Sequence, residues 1–422
     1  MLKKSLIAIA TLGAFAGSAM AADITISGRI DTGLNYHWNK VTDTDPTADT
    51  VKEDTFGMKS GQYSGSRITI KGSEELGNGM KAGFVLENGF EGDDGSFDSN
   101  GDDKLFGREA IVYLEGDFGH FSMGREGALT SGVGSYNLVY GYPPYSAGGG
   151  SYAGSKGEFM IGDRSRFNNT LTYRSPSFAG VQVYAQYSLE ADAQEDDQSG
   201  NNKRYAALGA TYNVGAFSTA LVVDTVMNGN DDASANKEDS LGVSWGASYD
   251  FGVTKPMIMV QYGKNENKFA GFANTDFNEV NKNDAERTNA NEGLKGFAVA
   301  LGAVTPLFGG NLYTTVQYAD GEFDGDVLTQ STSIFNKNNT PNWDNPSETG
   351  RVAGDVQRWG VTVGYDYPLS KRTKLYGFAA YNEGEFKYTE AYTDTQTGTT
   401  DSLSGKEKQK DIEAGVGLIH YF

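Results

Sequence analysis

Short segments of one kind recur along the chain and constrain its fold more than any other feature. They are "VQVYAQY" (181–187), "MIMVQY" (257–262), "LYTTVQY" (312–318) and "LYGFAAY" (375–381). Alternate side chains of a strand point to opposite faces, so Val183 and Ala185 share one face while Gln186 lies on the other. Such a strand meets a different environment on each face. Its repetition indicates a transmembrane β-barrel with a lipid-facing exterior and a water-filled interior.

Residues 1–21 have the layout of a secretory signal peptide. They contain a basic start, an apolar stretch at 6–16 and the small-residue site "AMA" at 19–21. The apolar stretch is shorter than the roughly 20 residues that a membrane-spanning helix needs. We therefore predict that residues 1–21 are removed and that residues 22–422 form one barrel domain.

The composition restricts the classes of partner. The chain has 35 basic and 55 acidic residues, a net charge of −20 and no cysteine. This negative balance argues against nucleic acid as a partner, because nucleic acid requires a cationic surface. Without disulfides, the stability of an exported chain must come from sheet closure and packing. The mean hydropathy of −0.48 is compatible with a barrel, since only every second strand residue faces lipid.

Turn signals divide the chain into sixteen strands, an even number, as a closed barrel with both ends on one side requires. Their approximate spans are 23–37, 63–73, 80–91, 105–116, 120–126, 165–175, 181–190, 204–213, 216–226, 240–250, 256–265, 294–303, 311–320, 355–366, 373–382 and 411–422. Short turns such as "GDFG" (116–119) alternate with long polar loops, which is typical of outer-membrane barrels.

Aromatic residues beside short turns fit an interfacial girdle. These are Phe118, Phe178, Phe251, Phe308 and Tyr367.

Four longer motifs resemble one family. They are "ADITISGRIDTGL" (22–34), "SRITIKGSEELGNGMKAGFVLE" (66–87), "FGREAIVYLEGDFGHFSMGR" (106–125) and "RFNNTLTYRSPSFAG" (166–180). Together they resemble the trimeric general diffusion porins of Gram-negative outer membranes, most closely the β-proteobacterial and neisserial branch. The resemblance implies an all-β, sixteen-stranded antiparallel barrel, a homotrimer, and passive passage of small hydrophilic solutes and ions. It also implies that the third external loop folds inward.

The end of the chain carries a further resemblance. Phe422, with Leu418 and His420 at alternate positions before it, is similar to the strand that the barrel-assembly machinery recognises. The family also implies contact with outer-membrane lipid and lipopolysaccharide.

The family sets basic residues on the barrel wall against acidic residues on the inward loop. Carried onto this sequence, the basic positions are Arg29, Arg67, Arg108 and Arg166. Alternation places Arg29 opposite the isoleucines at 24, 26 and 30, and Arg67 opposite those at 68 and 70. Arg108 shares its face with apolar residues, so it is expected above the apolar band or beside a bulge. Alternatively, each arginine lies at the rim of the barrel and extends its side chain toward lipid headgroups.

The third loop, about 126–164, departs from the family pattern. Four of its tyrosines, Tyr136, Tyr140, Tyr142 and Tyr145, are expected to pack against a wall. Its middle, 129–156, contains no Asp or Glu. The candidate acidic side is then Glu158 and Asp163, with Glu126 at the start of the loop. The constriction is therefore expected to be more basic than in other members, with weak selectivity for anions.

Enzyme activity and cofactors are not expected. The three histidines are His37, placed near an external loop, His120 at a short turn and His420 on the last strand. None has a nucleophile in an evident shared site. The "DSNGDD" segment (98–103) has the spacing of a calcium loop, but its sixth position is Asp rather than Gly, which favours a solvated acidic loop. The remaining alternatives are a substrate-specific porin, a surface adhesin or structural barrel, and a secreted β-sandwich.

Overall fold

The computed structural model describes residues 23–43, 50–97, 104–142, 161–162, 164–191, 202–229, 238–266, 268–269, 272–273, 287–288, 294–329, 348–394 and 400–422. Within these ranges no helix is long and apolar enough to cross a bilayer. The described strands are β1 (Asp23–Asp43), β2 (Val51–Ser60), β3 (Arg67–Gly77), β4 (Met80–Gly89), β5 (Glu109–Gly116), β6 (Gly119–Gly127), β7 (Arg166–Arg174), β8 (Val181–Ser188), β9 (Arg204–Val214), β10 (Phe217–Met227), β11 (Leu241–Tyr249), β12 (Lys255–Lys264), β13 (Lys268–Phe269), β14 (Phe272–Ala273), β15 (Arg287–Thr288), β16 (Lys295–Leu307), β17 (Gly310–Thr329), β18 (Glu348–Pro368), β19 (Thr373–Asp394) and β20 (Thr400–Tyr421).

Sixteen of these described strands, β1, β3 to β12 and β16 to β20, form one closed antiparallel wall. Each long strand pairs with the next in chain order, and the ring closes where β20 pairs with β1. Beyond β20, the backbone amides and carbonyls of Phe422 and Gly28 bond each other at 3.0 and 3.1 Å. The predicted barrel of sixteen strands is therefore confirmed.

The two faces of the wall differ as the alternation predicts. On β8, Val183 is 48% exposed on the outer face, whereas Gln186 is 3% exposed on the inner face. On β1, Ile24 and Ile26 are exposed on the outside, and Arg29 lies on the opposite face. The five aromatic residues beside short turns are all exposed, as an interfacial girdle requires.

The prediction that residues 38–62, between the first two predicted strands, form a loop was wrong. Residues 51–60 form β2, which pairs with β1 from Thr32 opposite Ser60 to Val41 opposite Val51. The chain then leaves the wall at 61–66 and returns as β3, which pairs with the first part of β1. The second wall strand therefore begins at 67 rather than at 63. On β2 only Phe56 and Met58, opposite Tyr36 and Leu34, continue the outward apolar face. Its alternation is therefore too short for the prediction to recognise.

The last four strands are longer than predicted. They span 20 to 22 residues each, about twice the predicted lengths. Their added parts lie toward the long loops and are rich in charged residues, as in "NEGEFKYTEAYTD" (382–394). Where both faces meet water, the ladder of hydrogen bonds continues while the apolar alternation ends. A prediction based on apolar alternation therefore ends these strands too early.

Candidate functional site

Two of the predicted basic residues face each other on neighbouring wall strands. Arg29 of β1 is directly opposite Arg67 of β3. Arg29 Nη1 donates to Ser64 Oγ at 2.7 Å, and Arg67 Nη2 lies 3.5 Å from the same oxygen. Arg67 Nε also donates to the carbonyl oxygen of Gly65 at 3.0 Å. The segment 61–66 therefore holds both guanidinium groups against the inner face.

Glu87 of β4 joins this pair to Arg108. Its Oε1 accepts from Arg67 Nη1 at 3.2 Å and from Arg108 Nε at 2.8 Å. Arg67 is repelled by the charges of Arg108, Arg29 and Arg166. The structure thus brings the four predicted basic residues together, and we call them the arginine cluster. Their role in the pore stays a prediction.

Arg108 reaches the inner face, although its place in the alternation of β5 suggests the outer face. It precedes β5, whose first residue is Glu109, so the alternation of that strand does not extend to it. Its side chain is buried against Glu87. Sequence reasoning missed Glu87. The signal was present, because Glu87 lies on the opposite face from Phe84 and Leu86, which face outward.

A second network fixes the segment 61–66 in place. Asp31 Oδ2 accepts from the backbone N–H groups of Tyr63 and Ser64, both at 2.6 Å. The Tyr376 hydroxyl donates to Asp31 Oδ1 at 2.6 Å. Tyr63 reaches across to donate to Asp366 Oδ2 at 2.8 Å. Both carboxylates are fully buried. They hold the segment rather than offer free charge to a permeating ion.

The described beginning of the third loop, 128–142, lies against the inner face. A Cβ on Gly209 would approach Leu138 Cδ1 to 2.7 Å, and one on Gly246 would approach Tyr142 Cδ2 to 2.3 Å. The two glycines therefore leave space for these side chains. The loop residues pack on a set of inner-face side chains that we call the apolar wall. It comprises Tyr184, Tyr205, Ala207, Ala220, Val222, Met259 and Ala300.

The structure describes three of the four candidate tyrosines of the third loop, Tyr136, Tyr140 and Tyr142. Tyr140 packs against the apolar wall, and the Tyr142 hydroxyl lies 2.8 Å from Ser218 Oγ. Tyr145, Glu158 and Asp163 lie outside the described residues, as does the segment 98–103. The inward course of the whole loop therefore stays a prediction.

Glu126 belongs to the wall. It lies in β6, fully buried, and accepts hydrogen bonds from Ser122, at 3.2 Å, and from Thr172. Among the described residues, its contacts are those of a structural carboxylate.

The far end of the third loop is anchored by Arg164. Its Nε donates to Asp224 Oδ1 at 2.6 Å, and its Nη2 donates to Glu266 Oε1 at 2.8 Å and to Ser240 Oγ at 2.9 Å. All three charged side chains are buried. Burial raises the pKa of Glu266 to about 7, although the charge of Arg164 opposes this. Sequence analysis did not find this anchor.

Aromatic rings form a series on the inner face near the short turns. Tyr113 stacks on His120 with ring centroids 4.8 Å apart. His120 meets the edge of Tyr136 at 6.3 Å, and Tyr136 meets Tyr184 at 6.1 Å. Tyr136 and Tyr184 are buried, so only part of this series faces the bore.

His37, predicted in or near an external loop, lies within the second half of β1, which continues to Asp43. Its Nε2 is 3.5 Å from Asp411 Oδ1. His120 lies beside the predicted short turn, and His420 lies on the last strand as predicted.

The terminal residues follow the predicted alternation. Leu418 and Phe422 are exposed, and His420 Nδ1 lies 2.9 Å from Thr373 Oγ1. Recognition of Leu418, His420 and Phe422 by the assembly machinery stays a prediction.

Comparison with known sequences identifies the family. Residues 6–387 match the profile described as Gram-negative porin. The chain belongs to this family. The porin is 28% identical over 454 residues to an outer membrane porin protein of Bordetella pertussis, with 100% of both chains covered. It is 29% identical over 384 residues to outer membrane porin protein 32 of Delftia acidovorans, covering 90% of this chain and 89% of that one.

Solved structures share the barrel. An anion-selective porin from Comamonas acidovorans superposes with a TM-score of 0.56 at 22% identity, covering 95% of this chain and 100% of that chain. The trimer form of OmpT from Vibrio cholerae gives a TM-score of 0.51 at 12% identity, with 95% and 100% covered. At these identities the likeness shows the fold alone. The family and its relatives establish the porin as a diffusion channel of the Gram-negative outer membrane.

Proposed function

We propose that this porin passes small hydrophilic solutes and ions passively, with a weak preference for anions. The proposal rests on one observation: Arg67 and Arg108 contact Glu87 on the inner face, and Arg29 and Arg166 lie close enough to repel Arg67. Charges at the narrowest part of a pore control which ions pass. Glu109 is directly opposite Glu87, and Asp31 interacts with Arg29, so the four arginines still outnumber these three carboxylates.

The third loop would narrow the bore beside the arginine cluster. In support, its described residues 128–142 occupy the inner face of β8 to β12 rather than the space outside the barrel. The acidic external loops attract cations to the mouth, but screening weakens such charges beyond about 8 Å at physiological salt. Charges inside the bore therefore weigh more on selectivity.

The test is the reversal potential of single channels in planar bilayers under a KCl gradient. We expect chloride to be modestly more permeant than potassium. The double variant R67Q/R108Q should reduce or reverse that preference. The matched control is K264Q/K295Q, which removes two positive charges from the exposed outer face and should leave selectivity unchanged. A clear potassium preference in the unmodified porin would contradict the proposal.

Assembly and maturation belong to the same proposal. A homotrimer is supported by the family and by the trimeric form of one structural relative. Removal of residues 1–21 follows from their signal-peptide pattern. Recognition of the C-terminal strand by the barrel-assembly machinery and contact with lipopolysaccharide follow from the resemblance. Cross-linking of the purified porin in detergent, read by mass, tests the trimer.

A substrate-specific porin is the second candidate. The ring series from Tyr113 through His120 to Tyr136 supports it, since sugars and aromatic anions bind aromatic faces. Tyr136 and Tyr184 of this series are buried and cannot meet a solute in the bore, so a substrate-specific porin is the weaker candidate. Liposome swelling distinguishes the two, because a specific porin saturates for one solute whereas a general channel depends only on solute size.

A further inference from the structure

Four glycines lie side by side on the inner face of neighbouring wall strands. They are Gly242 of β11, Gly263 of β12, Gly296 of β16 and Gly321 of β17, each directly opposite the next. Alternation places each of them on the same face as the buried inner residues of its strand. Because glycine has no side chain, the row leaves a trough in the wall. We call these four residues the glycine trough.

The ends of two loops fill the glycine trough. Phe269, in the loop after β12, is fully buried, and a Cβ on Gly296 or Gly321 would approach its ring to 2.5 or 2.6 Å. Ile161, near the returning end of the third loop, is also buried, and a Cβ on Gly263 would collide with its Cγ2. The trough therefore matches these two side chains in shape.

The two loop ends also contact each other. Ile161 and Phe269 form an isolated antiparallel bridge, and the backbone N–H of Ile161 donates to Gln261 Oε1 on β12 at 3.3 Å. Close to this bridge in both loops, Arg164 Nη2 donates to Glu266 Oε1 at 2.8 Å. Backbone pairing, side-chain packing and an ion pair thus join the returning end of the third loop to the start of the loop after β12.

We propose that Phe269 is a positioning residue of the pore, which locks the returning end of the third loop into the glycine trough. The inference rests on the inward course of the third loop under the proposed function. A loop end held by the Arg164 ion pair alone can pivot about that contact, whereas a second contact at Ile161 fixes its direction. The loop after β12 then determines how steadily the bore stays open. Phe269 carries no charge, so it acts on the steadiness of the current and not on ion preference.

The first test is Phe269→Ala, recorded as single channels in planar bilayers. Truncation of a buried phenylalanine shifts the equilibrium between packed and released states about a hundredfold or more, so brief transitions of the current should become at least about tenfold more frequent. The reversal potential in a KCl gradient should stay unchanged. Phe269→Leu, which refills part of the glycine trough, should restore most of the steadiness. A role in stability alone would alter urea unfolding without altering the current transitions.

A cysteine pair tests the contact between the two loop ends directly. The chain has no cysteine, so I161C/F269C introduces a single pair. Directly opposite residues have Cβ atoms about 4.5–5.5 Å apart, which a small adjustment brings within reach of a disulfide. The reduced variant should show the frequent transitions of Phe269→Ala. Oxidation should form the bond, detected by the mass of the joined proteolytic fragments, and return the current to the steadiness of the original porin.

The matched control is Phe297→Ala. Phe297 follows Gly296 on β16 but is 43% exposed on the outer face, so its truncation should leave the frequency of current transitions unchanged. Heat-modifiable migration on a gel verifies that each barrel is folded.

The outcomes separate this inference from the proposed function. A current as steady in Phe269→Ala as in the original porin, with more frequent transitions in Arg164→Gln, would overturn the role of Phe269 alone. A steady current in both variants would overturn it together with the narrowing of the bore by the third loop. Failure of oxidised I161C/F269C to form the bond would contradict the contact itself. A potassium preference would overturn the proposed selectivity and leave the role of Phe269 standing, because the transition frequency does not depend on the sign of the ion.

Discussion

The inner faces of β1, β3 and β4 carry charge, whereas those of β9 and β10 are small or apolar apart from Asp224, which pairs with Arg164. On the first side, Arg29 and Glu87 belong to a hydrogen-bonded network on the inner face. On the second side, Ala207, Ala220 and Val222 are covered by residues 128–142. On both sides the outward residues are apolar, because both sides meet the same lipid. The two sides differ only in the inward residues that alternate with them.

The comparison shows how one alternating pattern builds an asymmetric bore. Small inner residues such as Gly209 create room for a loop, and the loop buries its own apolar side chains there. The charged side is covered by the segment 61–66, which bonds Arg29 and Arg67, and keeps its polar groups paired along the wall. Solutes are then expected to pass beside the arginine cluster.

The largest expected effect comes from breaking the anchor that holds the loop over the apolar wall. Arg164→Gln leaves Asp224 and Glu266 buried without their cation. Removal of one partner of a buried pair costs roughly 3–5 kcal/mol. Urea unfolding of the purified barrel should show this loss, and single-channel recordings should become noisier because the loop is less firmly held.

The matched control is Arg174→Gln, the same change at a partly exposed contact with Glu115. An exposed ion pair contributes about 0–1 kcal/mol, so this variant should unfold almost as the original does. If both variants lost the same stability, the anchor would have no special role, and the contrast between covered and uncovered walls would lose its main support.

Truncation of the loop's apolar contact should have the next largest effect. Leu129 is fully buried against the apolar wall, so Leu129→Ala should cost about 2–4 kcal/mol through lost burial and a cavity. Leu208→Ala, on the outer face of β9 and 69% exposed, is the control and should change stability little in detergent. Equal losses in urea unfolding would show that the loop does not pack as described.

The two walls also differ in how far the sequence predicts them. Lipid contact imposes alternation, which placed Arg29 and Arg67 correctly and would have found Glu87 by the same rule. Where both faces meet water, as in the added part of β19 at 382–394, the pattern carries no signal. Arg164 meets Asp224 and Glu266 only because the chain returns to the wall shortly before β7 begins at Arg166. No local pattern encodes such a meeting, since its partners are 60 and 102 residues away.

Glu87→Gln tests whether the charged side of the bore controls ion selectivity. The change removes the carboxylate that contacts Arg67 and Arg108, so the local positive excess grows. A unit charge at about 4 Å is worth about 1 kcal/mol in water, enough to raise the chloride-over-potassium permeability ratio about twofold. Reversal potentials in a KCl gradient measure it. The control is Glu322→Gln on the exposed outer face, and an unchanged ratio for Glu87→Gln would place the cluster outside the ion path.

The smallest expected effect is a pH dependence that belongs to the anchored side. Burial raises the pKa of Glu266 to about 7, so between its ordinary value and pH 7 the folded porin binds more protons there than the unfolded chain. Stability therefore falls as pH rises through that window. Glu266→Gln removes the titration. Between pH 5.5 and pH 8 the melting temperature of the original porin should fall about 1–3 °C further than that of the variant.

Other carboxylates titrate over the same range, so the informative quantity is the difference between the two slopes rather than either slope alone. Glu238→Gln, at a contact of an exposed loop with Asn265, is the control and should keep the slope of the original porin. Parallel melting curves for the original porin and Glu266→Gln would mean that Glu266 is hydrated and ionised throughout. The anchor would then be open to water, and the covered side of the bore would be less distinct from the charged side than its contacts indicate.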